Sequence, residues 1–88
     1  MKVAFKKEFI KNISSIKDKK LADEIEFIVG LCYEVNDITQ IPLVKKLTGY
    51  KDFYRIRIND YRIGVKYSSH AVTFVCLYHR SVIYKLFP

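Results

Sequence analysis

The feature that most constrains this chain is the alternation of its side chains between Phe53 and Tyr78. Three runs, 53–58, 61–67 and 71–78, repeat with a period of two, which is the period of a β-strand. Asn59-Asp60 separates the first two runs and Ser68-Ser69-His70 the second two. Connections this short join antiparallel neighbours, so the sequence predicts a three-stranded meander.

The turn Asn59-Asp60 also predicts the register of the first hairpin. If Ile58 pairs with Tyr61, Arg57 lies opposite Arg62. One face of the hairpin is then apolar. The other, the arginine face, is formed by Arg55, Arg57, Arg62 and Lys66. Like charges directly opposite each other destabilise a sheet, so this face is expected to bind an external anion.

The first half of the chain has a helical period instead. After a short strand at 2–5, apolar residues recur at helical spacing in two stripes, separated by a polar break at 17–20. The stripes are Phe9, Ile10, Ile13 and Ile16, then Leu21, Ile25, Ile28, Cys32 and Val35. The predicted order is β-α-α-β-β-β, an α+β fold in which an antiparallel twisted sheet packs against a helical hairpin.

Three other segments carry further expectations. Gly30, inside the second helix, lowers helix propensity and suggests that another element packs closely there. Residues 36–48 are expected to form an irregular connector, and residues 81–87 a short tail with a helical turn.

Length and charge limit the function classes. Eighty-eight residues suffice for one domain, 1–88, with one modest core. Sixteen Lys and Arg against nine Asp and Glu give a net charge of +7, which favours an anionic partner such as nucleic acid, an anionic membrane surface or an acidic protein. Asp60 is the only acid after residue 52, so the sheet has almost nothing to neutralise its own cations. This placement favours RNA.

The remaining composition argues against several classes. The chain has no apolar run long enough to span a membrane and no signal-peptide pattern, so a cytoplasmic protein with no membrane partner is expected. Cys32 and Cys76 lie far apart in apolar stretches and are expected to be buried thiols. No metal site and no cofactor is predicted.

Several runs resemble the RelE-type toxins of the RelE/ParE toxin–antitoxin superfamily. They are residues 45–50, 53–58, 60–63 and 79–84. The resemblance implies a microbial-RNase-like fold that enters the ribosome, cleaves mRNA and is inhibited by a cognate antitoxin protein. Two alternatives stay open: a ParE-like toxin that acts on DNA gyrase without cutting RNA, and an inactive RNA-binding module of the same fold.

The resemblance also implies which residues act. The family's functional positions match Arg55, Arg57, Arg62, Arg80 and Tyr84. In RelE-type cleavage the 2′-hydroxyl attacks the adjacent phosphate and leaves a cyclic phosphate. Arg62 and Arg80 suit stabilisation of the more anionic transition state, but an arginine cannot be the base. Tyr84, whose phenolate nearby arginines would stabilise, and His79 are both candidates for that role.

Four further residues are candidate RNA contacts: Lys45, Lys46, Lys66 and Tyr78. The chain departs from well-studied RNA-cutting relatives at two places. Arg55 and Arg57 stand where lysines are frequent, and Tyr78 replaces a cation that some relatives carry two positions before the C-terminal arginine. Proton transfer is therefore expected to depend on fewer groups, and the cleavage rate is expected to be lower.

Overall fold

The computed structural model describes all residues, 1–88. Five strands and three α-helices follow one another, with a short 3-10 helix at Ile38–Gln40. The strands are β1 Lys2–Phe5, β2 Val44–Lys46, β3 Phe53–Ile58, β4 Tyr61–Ser68 and β5 Ala71–His79. The helices are α1 Lys7–Ser14, α2 Lys19–Glu34 and α3 Ile83–Leu86. The predicted α+β class is confirmed.

The sheet has the order β1-β5-β4-β3-β2. The predicted hairpin register is confirmed, since Ile58 pairs with Tyr61 and Arg57 with Arg62. Asn59 makes the turn possible by adopting φ 53°, a left-handed conformation that Asn tolerates better than most residues. Ser69 and His70 form the second turn with φ 51° and 61°.

Two details of the sheet differ from the prediction. Strand β1 runs parallel to β5, so the sheet is mixed rather than wholly antiparallel. The segment read as a connector contains β2, which pairs antiparallel with β3 and places Lys45 opposite Arg55. A three-residue strand is too short to show a period in the sequence, which is why β2 was not predicted.

Helices α1 and α2 cover one face of the sheet. Asp18 caps α2, its side chain accepting hydrogen bonds from the backbone N–H groups of Lys20 and Leu21. The apolar stripe of α2 and Phe9 of α1 pack with the inward side chains of β3, β4 and β5 in one core. Cys32 lies in this core, and Cys76 in a smaller cluster on the other face. Burial raises the pKa of both thiols to about 11.

The expectation for Gly30 is wrong. It lies on the exposed side of α2, and a Cβ at this position would have no neighbour within 4 Å. No element therefore packs against Gly30 within the chain. None of the helices combines the length and the apolar character that crossing a membrane requires.

Candidate active site

A cavity of about 360 Å³ opens on the arginine face where β2, β3 and β4 meet α3. Its lining residues are Leu43, Val44, Lys45, Arg55, Arg57, Arg62 and Tyr84. Strand alternation brings them together: Arg57 lies opposite Arg62 across β3 and β4, and Lys45 opposite Arg55 across β2 and β3. Five of the ten site residues predicted from the sequence thus lie in one place.

The charge of this arginine cavity is uncompensated. Four of its lining residues are cations and none is an acid. The two ion pairs of the protein, Lys19–Asp23 and Arg80–Asp60, involve none of the four. Four cations converging without a carboxylate favour an anion whose oxygens can accept several guanidinium hydrogen bonds, as a phosphate can.

Tyr84 forms one wall of the cavity from outside the sheet. Its ring lies over the guanidinium of Arg55, with Cζ 4.6 Å from the ring centroid, a cation–π contact. The side chain is 71% exposed, so its hydroxyl is accessible to a ligand. Tyr84 is the only lining residue with a hydroxyl group.

Arg62 is held by the turn that precedes it. Its Nη1 donates to the carbonyl oxygens of Asn59 and Tyr61 at 3.0 and 2.9 Å. These bonds use one nitrogen of the guanidinium and restrict its position, while its other donors remain available. An arginine held in this way loses less side-chain entropy when it binds an anion.

Arg80 and His79 lie outside the cavity. Arg80 directly follows β5, where its backbone N–H donates to Asp60 O at 2.7 Å and its Nε lies 3.8 Å from Asp60 Oδ1. Both side chains of this pair are more than 60% exposed, so the ion pair is weak. Arg80 is therefore a cation at the rim of the arginine face, close to the turn that holds Arg62.

His79 belongs to the opposite face of the sheet. It pairs with Tyr61 rather than with an arginine, and the two rings meet edge to face at 5.6 Å. Its Nδ1 accepts a hydrogen bond from the backbone N–H of Ser81 at 3.1 Å, so the imidazole in this arrangement carries its proton on Nε2. His79 and the arginine cavity are separated by the sheet.

The candidate RNA contacts outside the cavity have other partners. Lys46 points away from Lys45, and its Nζ donates to the carbonyl oxygens of Tyr50 and Lys51 at 2.5 and 2.7 Å.

Tyr78 lies opposite Arg62 on the arginine face, but its hydroxyl donates to Glu8 of α1. This bond raises the pKa of Tyr78 and lowers that of Glu8.

Lys66 lies at the far end of β4, opposite Phe53 and Thr73. It is exposed and shares a face with the arginines, but it does not line their cavity. Lys66 therefore remains a predicted contact for a more distant part of a bound strand.

Sequence reasoning missed two lining residues, Leu43 and Val44. Leu43 is 65% exposed and adopts φ 59°, a left-handed conformation that costs a branched residue about 1–2 kcal/mol. Its carbonyl accepts from Arg57 N at 3.1 Å, so the strained residue also anchors β3. The only signal in the sequence is the apolar run at 41–44, which does not distinguish a rim from a core.

Comparisons with known proteins identify the family and the fold of the chain. No family model matches the chain. Toxin RelE3 of Methanocaldococcus jannaschii is 35% identical to it over 89 residues, an alignment that covers 100% of both chains. At this identity and coverage, a shared fold and a common family follow.

Solved structures give the same result. In a RelB–RelE antitoxin–toxin complex from Methanococcus jannaschii, one chain matches with a TM-score of 0.81 and 31% identity over 97% of this chain and 99% of that one. The YoeB dimer of Staphylococcus aureus matches with a TM-score of 0.71 over 90% of this chain and 97% of that one, at 17% identity, which shows the fold alone. Together with the full-length match to Toxin RelE3, these comparisons establish that the chain belongs to the RelE family of toxins.

Proposed function

We propose that this protein is the toxin of a toxin–antitoxin pair and acts as a ribosome-dependent mRNA endoribonuclease. The observation that carries the proposal is the arginine cavity, where Lys45, Arg55, Arg57 and Arg62 converge without an acid beside the hydroxyl of Tyr84. Its charge suits the phosphate of an RNA strand, and Tyr84 supplies the only hydroxyl there that can exchange a proton with a 2′-hydroxyl.

The proposed reaction is a transesterification. The 2′-hydroxyl gives up its proton and its oxygen attacks the adjacent phosphorus, so that a 2′,3′-cyclic phosphate forms. The bond to the 5′-oxygen of the next nucleotide breaks, and this oxygen takes up a proton and leaves as a 5′-hydroxyl. The phosphorane gains negative charge in the transition state. Arg57 and Arg62, opposite each other on adjacent strands, are the donors that we place on its oxygens.

Tyr84 is the residue that we propose as general base. The guanidinium of Arg55 lies against its ring and keeps the exposed hydroxyl beside the arginine cavity. His79, the other candidate, lies across the sheet, and its Nδ1 is engaged by Ser81. In this account Arg80 adds positive charge at the rim of the arginine face but does not replace Arg62 as a donor to the phosphorane oxygens.

Two partners follow from the proposal. The cognate antitoxin is expected because the similar archaeal toxin was solved in complex with an antitoxin. The ribosome is expected because the arginine cavity is open and has no second hydroxyl or imidazole. A second surface must therefore hold the mRNA backbone in the conformation that allows in-line attack of the 2′-oxygen.

Primer extension on a translated mRNA tests the proposal. Wild-type protein is expected to produce new 5′ ends in a translation extract and none on the same RNA without ribosomes. Arg62→Ala removes a donor to the transition state, so its cleavage rate should fall on the order of 100-fold or more. Because Arg62 also holds the turn, circular dichroism of the variant is compared with that of the wild type.

Lys17→Ala is the matched control. It removes the same charge from an exposed residue in the loop between α1 and α2, which lies on the other side of the sheet. Its cleavage rate should stay close to that of the wild type. Intact mRNA in cells that the protein nevertheless arrests would contradict the endoribonuclease and would favour gyrase or another target.

A further inference from the structure

Phe87 is a buried aromatic residue that is not one of the candidate site residues. It does not line the arginine cavity, yet it is only 4% exposed and packs with Cys76 and Ile83 in a small cluster on the arginine face. Phe53 completes this cluster, its ring meeting Phe87 edge to face at 5.4 Å. An aromatic anchor of this kind fixes the segment that carries it.

Gly64 provides the space that Phe87 occupies. A Cβ added at Gly64 would lie 2.8 Å from both Cγ and Cδ1 of the Phe87 ring, closer than such atoms can approach. The room that Gly64 leaves over the sheet is therefore filled by a ring of the protein itself. Gly64 is also the partner of Arg55 in the sheet register, so the anchor lies beside the base of the arginine that Tyr84 covers.

The anchor is important because the hydrogen bonds of α3 do not fix the helix against the sheet. The helix has four residues, too few for stability in isolation. The backbone hydrogen bonds around it, from Val82 N to His79 O, from Lys85 N to Val82 O and from Phe87 N to Ile83 O, are all local. Contact with the sheet therefore depends on Ile83 and Phe87, which lie four residues apart on one side of the turn.

We infer that Phe87, seated on Gly64, is a positioning residue for Tyr84. The two buried anchors, Ile83 and Phe87, flank Tyr84 in sequence and hold its ring 4.6 Å from the Arg55 guanidinium. Loss of the Phe87 ring releases α3 and lets Tyr84 leave the arginine cavity, while the strands that carry the arginines stay in place. The catalytic part of this inference rests on the proposed function; the structural part does not.

The structural part is tested without RNA. A fluorotyrosine is placed at position 84, and its ¹⁹F NMR signal is recorded in the otherwise unchanged protein, in Phe87→Ala and in Arg55→Ala. Arg55→Ala gives the reference chemical shift of the Tyr84 ring when no guanidinium lies against it. The Phe87→Ala signal should move towards that of Arg55→Ala. Leu86→Ala, an exposed neighbour in the same helix, should leave the signal unchanged. An unchanged signal in Phe87→Ala would overturn the inference.

The catalytic part uses a double-mutant cycle on the cleavage rate. Phe87→Ala should lower the rate on the order of 10- to 100-fold, and Phe87→Leu, which keeps an apolar anchor, should restore most of it. If Phe87 acts through Tyr84, adding Phe87→Ala to Tyr84→Phe should cause little further loss. Full losses from both changes would contradict this route.

The outcomes of the two tests distinguish failure of the positioning role from failure of the proposed function. A displaced ¹⁹F signal in a protein that cuts no RNA would support the positioning role and refute the proposed function. If Phe87→Ala is unfolded by circular dichroism, Phe87→Leu takes its place in the NMR comparison, where an intermediate shift is expected and no shift would overturn the inference.

Discussion

Arg57 and Arg62 lie directly opposite each other on adjacent strands, an arrangement that opposes folding and favours anion binding. Arg57→Thr should therefore raise the free energy of unfolding by about 0.2–1 kcal/mol, because it removes the repulsion and adds a good strand former. The same change should weaken RNA cleavage. Urea denaturation at low salt measures the first effect and primer extension the second.

Lys66→Thr is the control for that stability gain. It removes one cation from the same face, but Lys66 lies opposite Phe53 and Thr73 and so has no cation across the strand. Its free energy of unfolding should change little. An equal gain in both variants would mean that net charge or the strand propensity of Thr, rather than the opposed pair, is responsible.

Asp37 gives the stability a dependence on acid pH. Its carboxylate accepts hydrogen bonds from the backbone N–H and the hydroxyl of Thr39 and from the Tyr67 hydroxyl, and these bonds lower its pKa below the ordinary value of 3.8. A lowered pKa stabilises the fold above pH 3.8, and this contribution is lost as the pH falls through the lowered value.

Asp37→Asn keeps the shape but does not titrate. The variant should be less stable than the wild type at neutral pH, and the difference should shrink as the pH falls below 3.8. Thermal unfolding across this range measures it, with Glu26→Gln on the exposed side of α2 as the control for loss of one acid. A difference that stays constant with pH would contradict the assignment.

At the scale of elements, helix α2 contains one residue that lowers its stability. Gly30 is exposed within the helix, and nothing in the chain lies within 4 Å of an added Cβ. Gly30→Ala should therefore raise the free energy of unfolding by about 1 kcal/mol with no change in RNA cleavage. Denaturant midpoints test this. A loss of stability would show that the position requires glycine for a reason that the chain's own contacts do not explain.

Sequence patterns were sufficient where one local rule fixed the geometry. A two-residue turn sets the register of β3 and β4, so the opposition of Arg57 and Arg62 was predictable. Strand β2 was not, because its three residues show no period in the sequence. The seat of Phe87 on Gly64 was not predictable either, since it depends on the approach of two distant segments.

At the scale of the whole molecule, charge is divided between two sides. Four of the nine acids, Asp23, Glu24, Glu26 and Glu34, lie on α2. The four cations of the arginine cavity come from the other face of the sheet, and of these Arg57 also borders a second cavity that Asp23 and Glu24 line. A chain with a net charge of +7 and this asymmetry presents its sheet to a polyanion. The helices remain available for other contacts.

The most direct test of this account is cleavage of an mRNA with a single 2′-deoxynucleotide on the 5′ side of a mapped cut, bound to programmed ribosomes. Without the 2′-oxygen no cyclic phosphate can form, so we predict that cleavage at that site disappears while the all-ribose mRNA is cut and leaves a 2′,3′-cyclic phosphate. Equal cleavage of both mRNAs would contradict the proposed reaction, and an uncut all-ribose mRNA would contradict the endoribonuclease itself.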